Sequence, residues 1–143
     1  MKSFIILALS VGLSLSNQPF NKSKDVSMSS YAMADAPVEA TVEKIFDAYS
    51  KRDLQNFISY FDTNVEVSLF PNKILYKGKD ELRKNYAQFF ETNPNFKTEL
   101  LSRKTQDNRV IDEISVERIA GKVQKCTIVY EVVNGVVQKM IFL

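Results

Sequence analysis

The sequence predicts one α+β domain, with helices gathered before residue 95 and an antiparallel sheet after it. Three observations carry that expectation. Apolar residues recur at helical spacing in three stretches, around Val38–Tyr49, Leu54–Phe61 and Leu82–Phe90. From Asn95 onward the pattern changes to the alternation of strands. That second half is broken by turn signals at Asp107-Asn108, Ala120-Gly121-Lys122 and Asn134-Gly135, the last favouring a type I′ hairpin.

Taken in order, the chain begins with Lys2 and the apolar stretch FIILALSVGLSL, followed by the small residues of Ser14-Leu15-Ser16. This is the layout of a secretory signal peptide over residues 1–16, with cleavage expected after Ser16 rather than at the more distant Ala32-Met33-Ala34. The stretch is too short for a membrane span. Residues 17–35 are rich in Ser, Asn and Lys without a sustained period, and are expected to form a flexible leader. The sequon Asn21-Lys22-Ser23 reads there as accidental. The expected product is an exported protein, periplasmic or extracellular, with no stable membrane anchor after cleavage.

The folded domain is expected over 36–143. Asp35-Ala36-Pro37 combines a capping residue with a proline suited to a first helical turn. Val38, Val42, Ile45, Phe46 and Tyr49 then make one apolar stripe, giving a helix near 37–52. Asp53 can cap a second helix, near 53–62, that buries Leu54, Phe57, Ile58 and Phe61. TNVEVSLFP alternates as a half-buried strand ended by Pro71, and ILYKG is a second extended piece. A third helix, near 79–92, places Asp80 and Glu81 at its positive end and buries Leu82, Tyr86, Phe89 and Phe90. FKTELLSRKT, RVIDEISVERI, VQKCTIVYEVV and Val136–Phe142 supply four further strands.

Composition narrows function by exclusion. Basic and acidic residues number 19 and 17, for a net charge of +2, and are mixed along the chain, which argues against nucleic acid as a partner. Loss of Lys2 with residues 1–16 leaves 18 against 17, or +1. Histidine is absent, which removes the commonest general base and metal ligand. The single Cys126 rules out an internal disulfide and reads as a small buried hydrophobe. There is no glycine-rich phosphate loop, and neither a cofactor nor a metal is expected.

Four segments, FDAYSKRDLQNFISYFDTNVEV, YKGKDELRKNYAQFF, NRVIDEISVER and IVYEVVNGVVQKMIFL, together resemble the SnoaL-like branch of the nuclear-transport-factor-2-like superfamily, from about Val38 to Leu143. The resemblance implies a curved, cone-shaped antiparallel or mixed β-sheet packed against the three helices, with an apolar pocket between them. It also places the final strand inside the sheet, so that the apolar Met140-Ile141-Phe142-Leu143 ending is core.

Ketosteroid isomerase, a member of that superfamily, works with a carboxylate base and with a tyrosine and a protonated carboxyl as oxyanion donors. Carried over by position, the base falls near Leu69, the oxyanion carboxyl at Ile128 or Val129, and the oxyanion tyrosine at Ile45, all apolar here. Tyr86 alone matches a supporting tyrosine. Isomerase chemistry of that type is therefore not expected.

Alternation puts Val110, Asp112, Ile114, Val116 and Arg118 on one face of their strand, the more apolar one, which should face the pocket. The ligand-binding candidates are Asp112 and Arg118 from this alternation, Leu69, Ile128 and Tyr86 from the positions the resemblance implies, and Tyr130 as a further tyrosine able to hydrogen-bond a ligand. Asp112 is either a ligand-orienting carboxylate, whose replacement by Asn costs binding more than stability, or the partner of Arg118, Arg83 or Arg103 in a structural ion pair. Tyr86 and Tyr130 could equally be plain core. The function expected is binding of a small hydrophobic molecule, with conversion of it left open. The alternative is a non-catalytic interaction or homodimerisation module that uses the outer face of the sheet.

Overall fold

The computed structural model describes the backbone from Ser27 and the side chains from Val38 to Leu143. The expected signal peptide, its cleavage site, the sequon and the first part of the leader lie outside the described residues. Helix α1 runs Ser27–Ser50, α2 Leu54–Ser59 and α3 Lys79–Thr92. The strands are β1 Phe61–Leu69, β2 Lys73–Lys77, β3 Lys97–Gln106, β4 Arg109–Ile119, β5 Lys122–Val133 and β6 Val136–Phe142. They form one six-stranded sheet in the order β2-β1-β6-β5-β4-β3. Only β1 and β6 pair in parallel; the other pairs are antiparallel. α1 lies over β3, β4 and β5 while α3 lies over β1 and β2, so both helices cover the same concave side of a curved mixed sheet.

Two expectations about helix bounds are corrected. α1 begins at Ser27, not at Asp35, so the last part of the expected flexible leader is helical and Pro37 lies within the helix. Ala32, Met33, Ala34 and Ala36 are strong helix formers, which favours extension ahead of the proline. Phe61 belongs to β1 rather than α2, because the Tyr60 carbonyl accepts the Val137 N–H at 2.9 Å and draws the chain into the sheet. The α2 cap is as expected, with the Asp53 side chain accepting the Asn56 N–H at 3.1 Å.

Local chemistry explains the junctions. α1 ends on a Schellman motif in which Asp53 N–H reaches the Ala48 carbonyl and Arg52 N–H the Tyr49 carbonyl. That motif needs a left-handed residue, here Arg52 at φ +57°, whose guanidinium sits 5.6 Å from the Phe96 ring centre. Asn134 and Gly135 both have positive φ, as a type I′ hairpin requires. The β1–β6 register slips between Phe61 and Glu66, where the Asp62 carboxylate captures the Asn64 N–H.

The core joins α1 (Val42, Ile45) and α2 (Phe57, Ile58) to the concave face of the sheet. Each such large side chain contributes about 1.5–3 kcal/mol on burial. β6 lies between β1 and β5, which accounts for the apolar chain ending. Burial there is graded, however. Met140 is fully buried, Ile141 and Phe142 are half-buried, and Leu143 is 58% exposed. The expectation that all four side chains are core fails at Leu143, which has passed the end of the sheet and is held only through its N–H to the Thr127 carbonyl.

Candidate functional site

The space between α1, α3 and the concave face of the sheet has two parts. An inner chamber of about 70 Å³ is bounded by Phe57 and Tyr86 from the helices and by Ile114, Ile128, Tyr130 and Phe142 from the sheet. An outer trough of about 540 Å³ opens to solvent between Phe89, Val116, Arg118 and Gln124. Tyr49, Val116 and Cys126 line both and so stand at the boundary between them, here called the neck.

These side chains meet for simple reasons of periodicity. Gln124, Cys126, Ile128 and Tyr130 alternate along β5 and share its concave face, and Ile114 and Val116 do the same on β4. Tyr49 ends the α1 stripe, and Tyr86 and Phe89 lie on one face of α3. The helical aromatics pack on one another. Tyr49 stands edge-on to Tyr86 at 6.1 Å and stacks on Phe89 at 6.0 Å, while Phe57 lies 4.5 Å from Tyr86.

Three tyrosine hydroxyls reach this space. Tyr86 Oη makes only a weak 4.0 Å contact with Met140 Sδ. Among the described residues those of Tyr49 and Tyr130 have no hydrogen-bond partner, yet no buried polar side-chain atom there is left unsatisfied. Both hydroxyls are therefore accessible from the cavity instead of being sealed in protein. Burial pushes the pKa of Tyr86 and Tyr130 far above the ordinary phenol range, making both weaker acids, and does the same to Tyr49, with Arg118 pulling weakly the other way. Burial also raises the Cys126 thiol. Near neutral pH the chamber thus offers hydroxyl donors and a thiol, with no base poised to take a proton. No carboxylate lines either part, and no three metal-binding side chains converge among the described residues.

The six candidate residues are divided by the structure. Tyr86, Tyr130 and Ile128 come together in the inner chamber, and Arg118 stands on the wall of the outer trough. Leu69 does not join them. It is 40% exposed beside the β1–β2 turn, where β1 has run past the chamber, and the expected apolar wall position is corrected accordingly. Asp112 is inward and 1% exposed, but lines neither space. Arg103 Nε and Nη2 each donate to its two carboxylate oxygens at 2.7 Å, which is the ion-pair alternative with Arg103 as the partner. Arg83 and Arg118 bond Gln55 and Gln124 instead. At the other isomerase positions, Ile45 is fully buried core and Val129 lies on the opposite sheet face to Ile128.

Two neck residues, Tyr49 and Cys126, were not among the expected site residues. The signals were present, since Cys126 shares the alternation of Ile128 and Tyr130, and Tyr49 closes the α1 stripe.

Residues 42–140 match the SnoaL-like domain. Among solved structures, the chain is similar to a cystatin-fold protein from Novosphingobium aromaticivorans, with TM-score 0.68, 18% identity, and coverage of 75% of this chain and 97% of the other. It is also similar to a candidate ketosteroid isomerase from Kribbella flavida, with TM-score 0.67 at 14% identity over 76% and 77% of the two chains. A candidate polyketide cyclase from Sinorhizobium meliloti aligns with TM-score 0.63 at 15% identity over 73% and 94%. At these identities the likeness is one of fold. No curated protein matches the chain.

Proposed function

Because the chain belongs to the SnoaL-like domain family, we propose that it is a pocket protein that binds a small hydrophobic molecule in the space between helices and sheet. The observation that carries this reading is an open trough adjoining, through Tyr49, Val116 and Cys126, an aromatic chamber lined by the tyrosines Tyr49 and Tyr130, whose hydroxyls have no partner among the described residues. A ligand with an apolar body and a carbonyl, ether or hydroxyl oxygen would satisfy those donors. The ketosteroid and polyketide named for two structural neighbours agree with that description. Proton abstraction of the isomerase type has no support here, because no lining residue is a carboxylate and the tyrosines are held protonated. The chamber, at about 70 Å³, is small beside the trough of about 540 Å³, so the ligand body occupies the trough and only its tip enters.

Lys2 and the apolar stretch after it support export as part of the proposal. Mass spectrometry of the exported product should begin at Asn17, and intact Met1 in the cytosol would sink that part. The binding proposal is tested by thermal melting against a panel of neutral aromatic ketones and alcohols, with wild type beside Cys126→Leu, which fills the neck. Stabilisation of wild type but not of the variant is expected. Equal stabilisation of both moves the site elsewhere.

A second reading, docking or self-association through the protein surface, is favoured by one observation. Leu69, Phe70 and Leu143 are exposed beside one another where β1 and β6 end, with Phe70 N–H bonded to the Phe142 carbonyl. A concentration-dependent mass in sedimentation that Phe70→Ser abolishes would support it.

A further inference from the structure

We propose that the preferred ligand is an anionic amphiphile, its acid group held by Arg118 at the rim of the trough and its apolar tail directed past the neck toward Ile128 and Phe142; this deepens the pocket reading and rests on it. The argument begins with the backbone. The register of β4 against β5 shifts between Glu117 and Ile119, so Arg118 occupies a bulge, a device that re-aims a side chain. Its guanidinium turns to the concave face, where Nη2 donates to Gln124 Oε1 at 2.8 Å. That single bond fixes the side chain and leaves the other N–H donors free.

Arg118 has no carboxylate partner among the described residues, unlike Arg103 and Arg109, whose charges are met by Asp112 and Glu131. Lys125 also borders the trough, but it alternates to the outer face with Glu113, 3.8 Å away, and its charge is directed outward. The charge on the concave wall is therefore one unpaired guanidinium, with no acid lining either part of the cavity. A guanidinium presents a planar fork that matches a carboxylate, sulfonate or phosphate.

The charge of the wall is confined to the rim, and aromatic and aliphatic surface takes over inward. From Gln124 to Tyr130 is six residues along β5, roughly 20 Å at ~3.3 Å each. Over that length the lining passes from Arg118 and Gln124, through Val116, Cys126 and Tyr49, to Ile128 and Phe142. A neutral apolar ligand leaves the rim cation unused, and a hydrophilic anion leaves the aromatic walls unused. An acid with an apolar tail uses both.

The test compares octanoate, octanol and octylammonium by isothermal titration at neutral pH, on wild type and on Arg118→Gln. Arg118 is exposed, so its replacement leaves the core intact. Octanoate should bind wild type on the order of tenfold more tightly than octanol, with octylammonium weakest, because a charged hydrogen bond is added on one side and like charges meet on the other. Arg118→Gln should remove the octanoate advantage while leaving octanol unchanged. Equal binding of octanoate and octanol, or an equal loss of both in the variant, overturns the anionic assignment while the pocket itself stands. No binding of any of the three overturns the assignment together with the pocket reading beneath it.

Discussion

Replacing Asp112 with Asn should destabilise the protein far more than it affects any ligand. The carboxylate is 1% exposed and the Arg103 side chain 11%, and the two share a pair of 2.7 Å hydrogen bonds across β3 and β4. That contact is the largest cause holding the Arg103 guanidinium in its charged form. Removing one member of a buried pair leaves the other charge uncompensated, at a cost of about 3–5 kcal/mol. Two features favour the low end. Asn can still accept one hydrogen bond, and Glu39 and Glu43 on α1 contribute some field at Arg103. A loss of about 3 kcal/mol in a domain of this size corresponds to a fall in Tm on the order of 10–20 °C. Chemical denaturation followed by circular dichroism measures it directly. The double variant Asp112→Leu/Arg103→Met should recover most of the loss, since an apolar pair of similar volume costs little. A single variant that melts within ~2 °C of wild type would refute the reasoning. A double variant as unstable as the single would show that the unpaired charge is not the cause.

Alkaline pH should unfold the protein in a definite window. The folded-state pKa values of Tyr49, Tyr86 and Tyr130 are raised by burial, and that of Tyr76 to about 12, against 10.0 when unfolded. Their contribution is fully present below pH 10. Above it the unfolded chain ionises first, so stability should fall by about 1.4 kcal/mol per pH unit for each of the buried Tyr86 and Tyr130, and by less for the partly exposed Tyr49 and Tyr76. Tyr130→Phe should flatten that slope in a denaturant series, and an unchanged slope would contradict the assignment. Deleting Leu143 alone should be tolerated, whereas deleting residues 140–143 removes the fully buried Met140 and the end of an interior strand and should abolish soluble expression. Gly135→Ala, at φ +77°, should cost about 1 kcal/mol through backbone strain alone, since nothing lies within 4 Å of an added Cβ.

Much of the fold was legible because local and tertiary preferences agree. The α3 stripe, the turns at Asp107, Gly121 and Asn134, and the alternation of β4 each specify one arrangement, and the structure adopts it. The misplacement of Phe61 arose because an apolar residue at helical spacing carries no record of the Val137 N–H that recruits Tyr60 into the sheet. The site was legible in part. Alternation correctly turned Asp112 inward, but it says nothing of which inward residues meet each other rather than a cavity, a matter settled by the β3–β4 register that sets Arg103 opposite Asp112. Leu69 failed for a related reason, because a position taken from a relative's strand does not fix where this chamber ends. Alternation turned Arg118 inward beside Val116, but the bulge it occupies and the Gln124 bond that fixes it leave no mark in the sequence pattern.

The central claim, that the ligand occupies the chamber and trough, is tested most directly by mapping chemical-shift changes in a heteronuclear NMR titration of the full folded domain with octanoate. The account predicts that perturbed amides cluster at Val116, Arg118, Cys126, Ile128 and Tyr130, with Leu69, Phe70 and Ile74 unmoved. Perturbations confined to Leu69, Phe70 and Leu143 would contradict it, placing recognition on the exposed end of the sheet and leaving the cavity without a binding role.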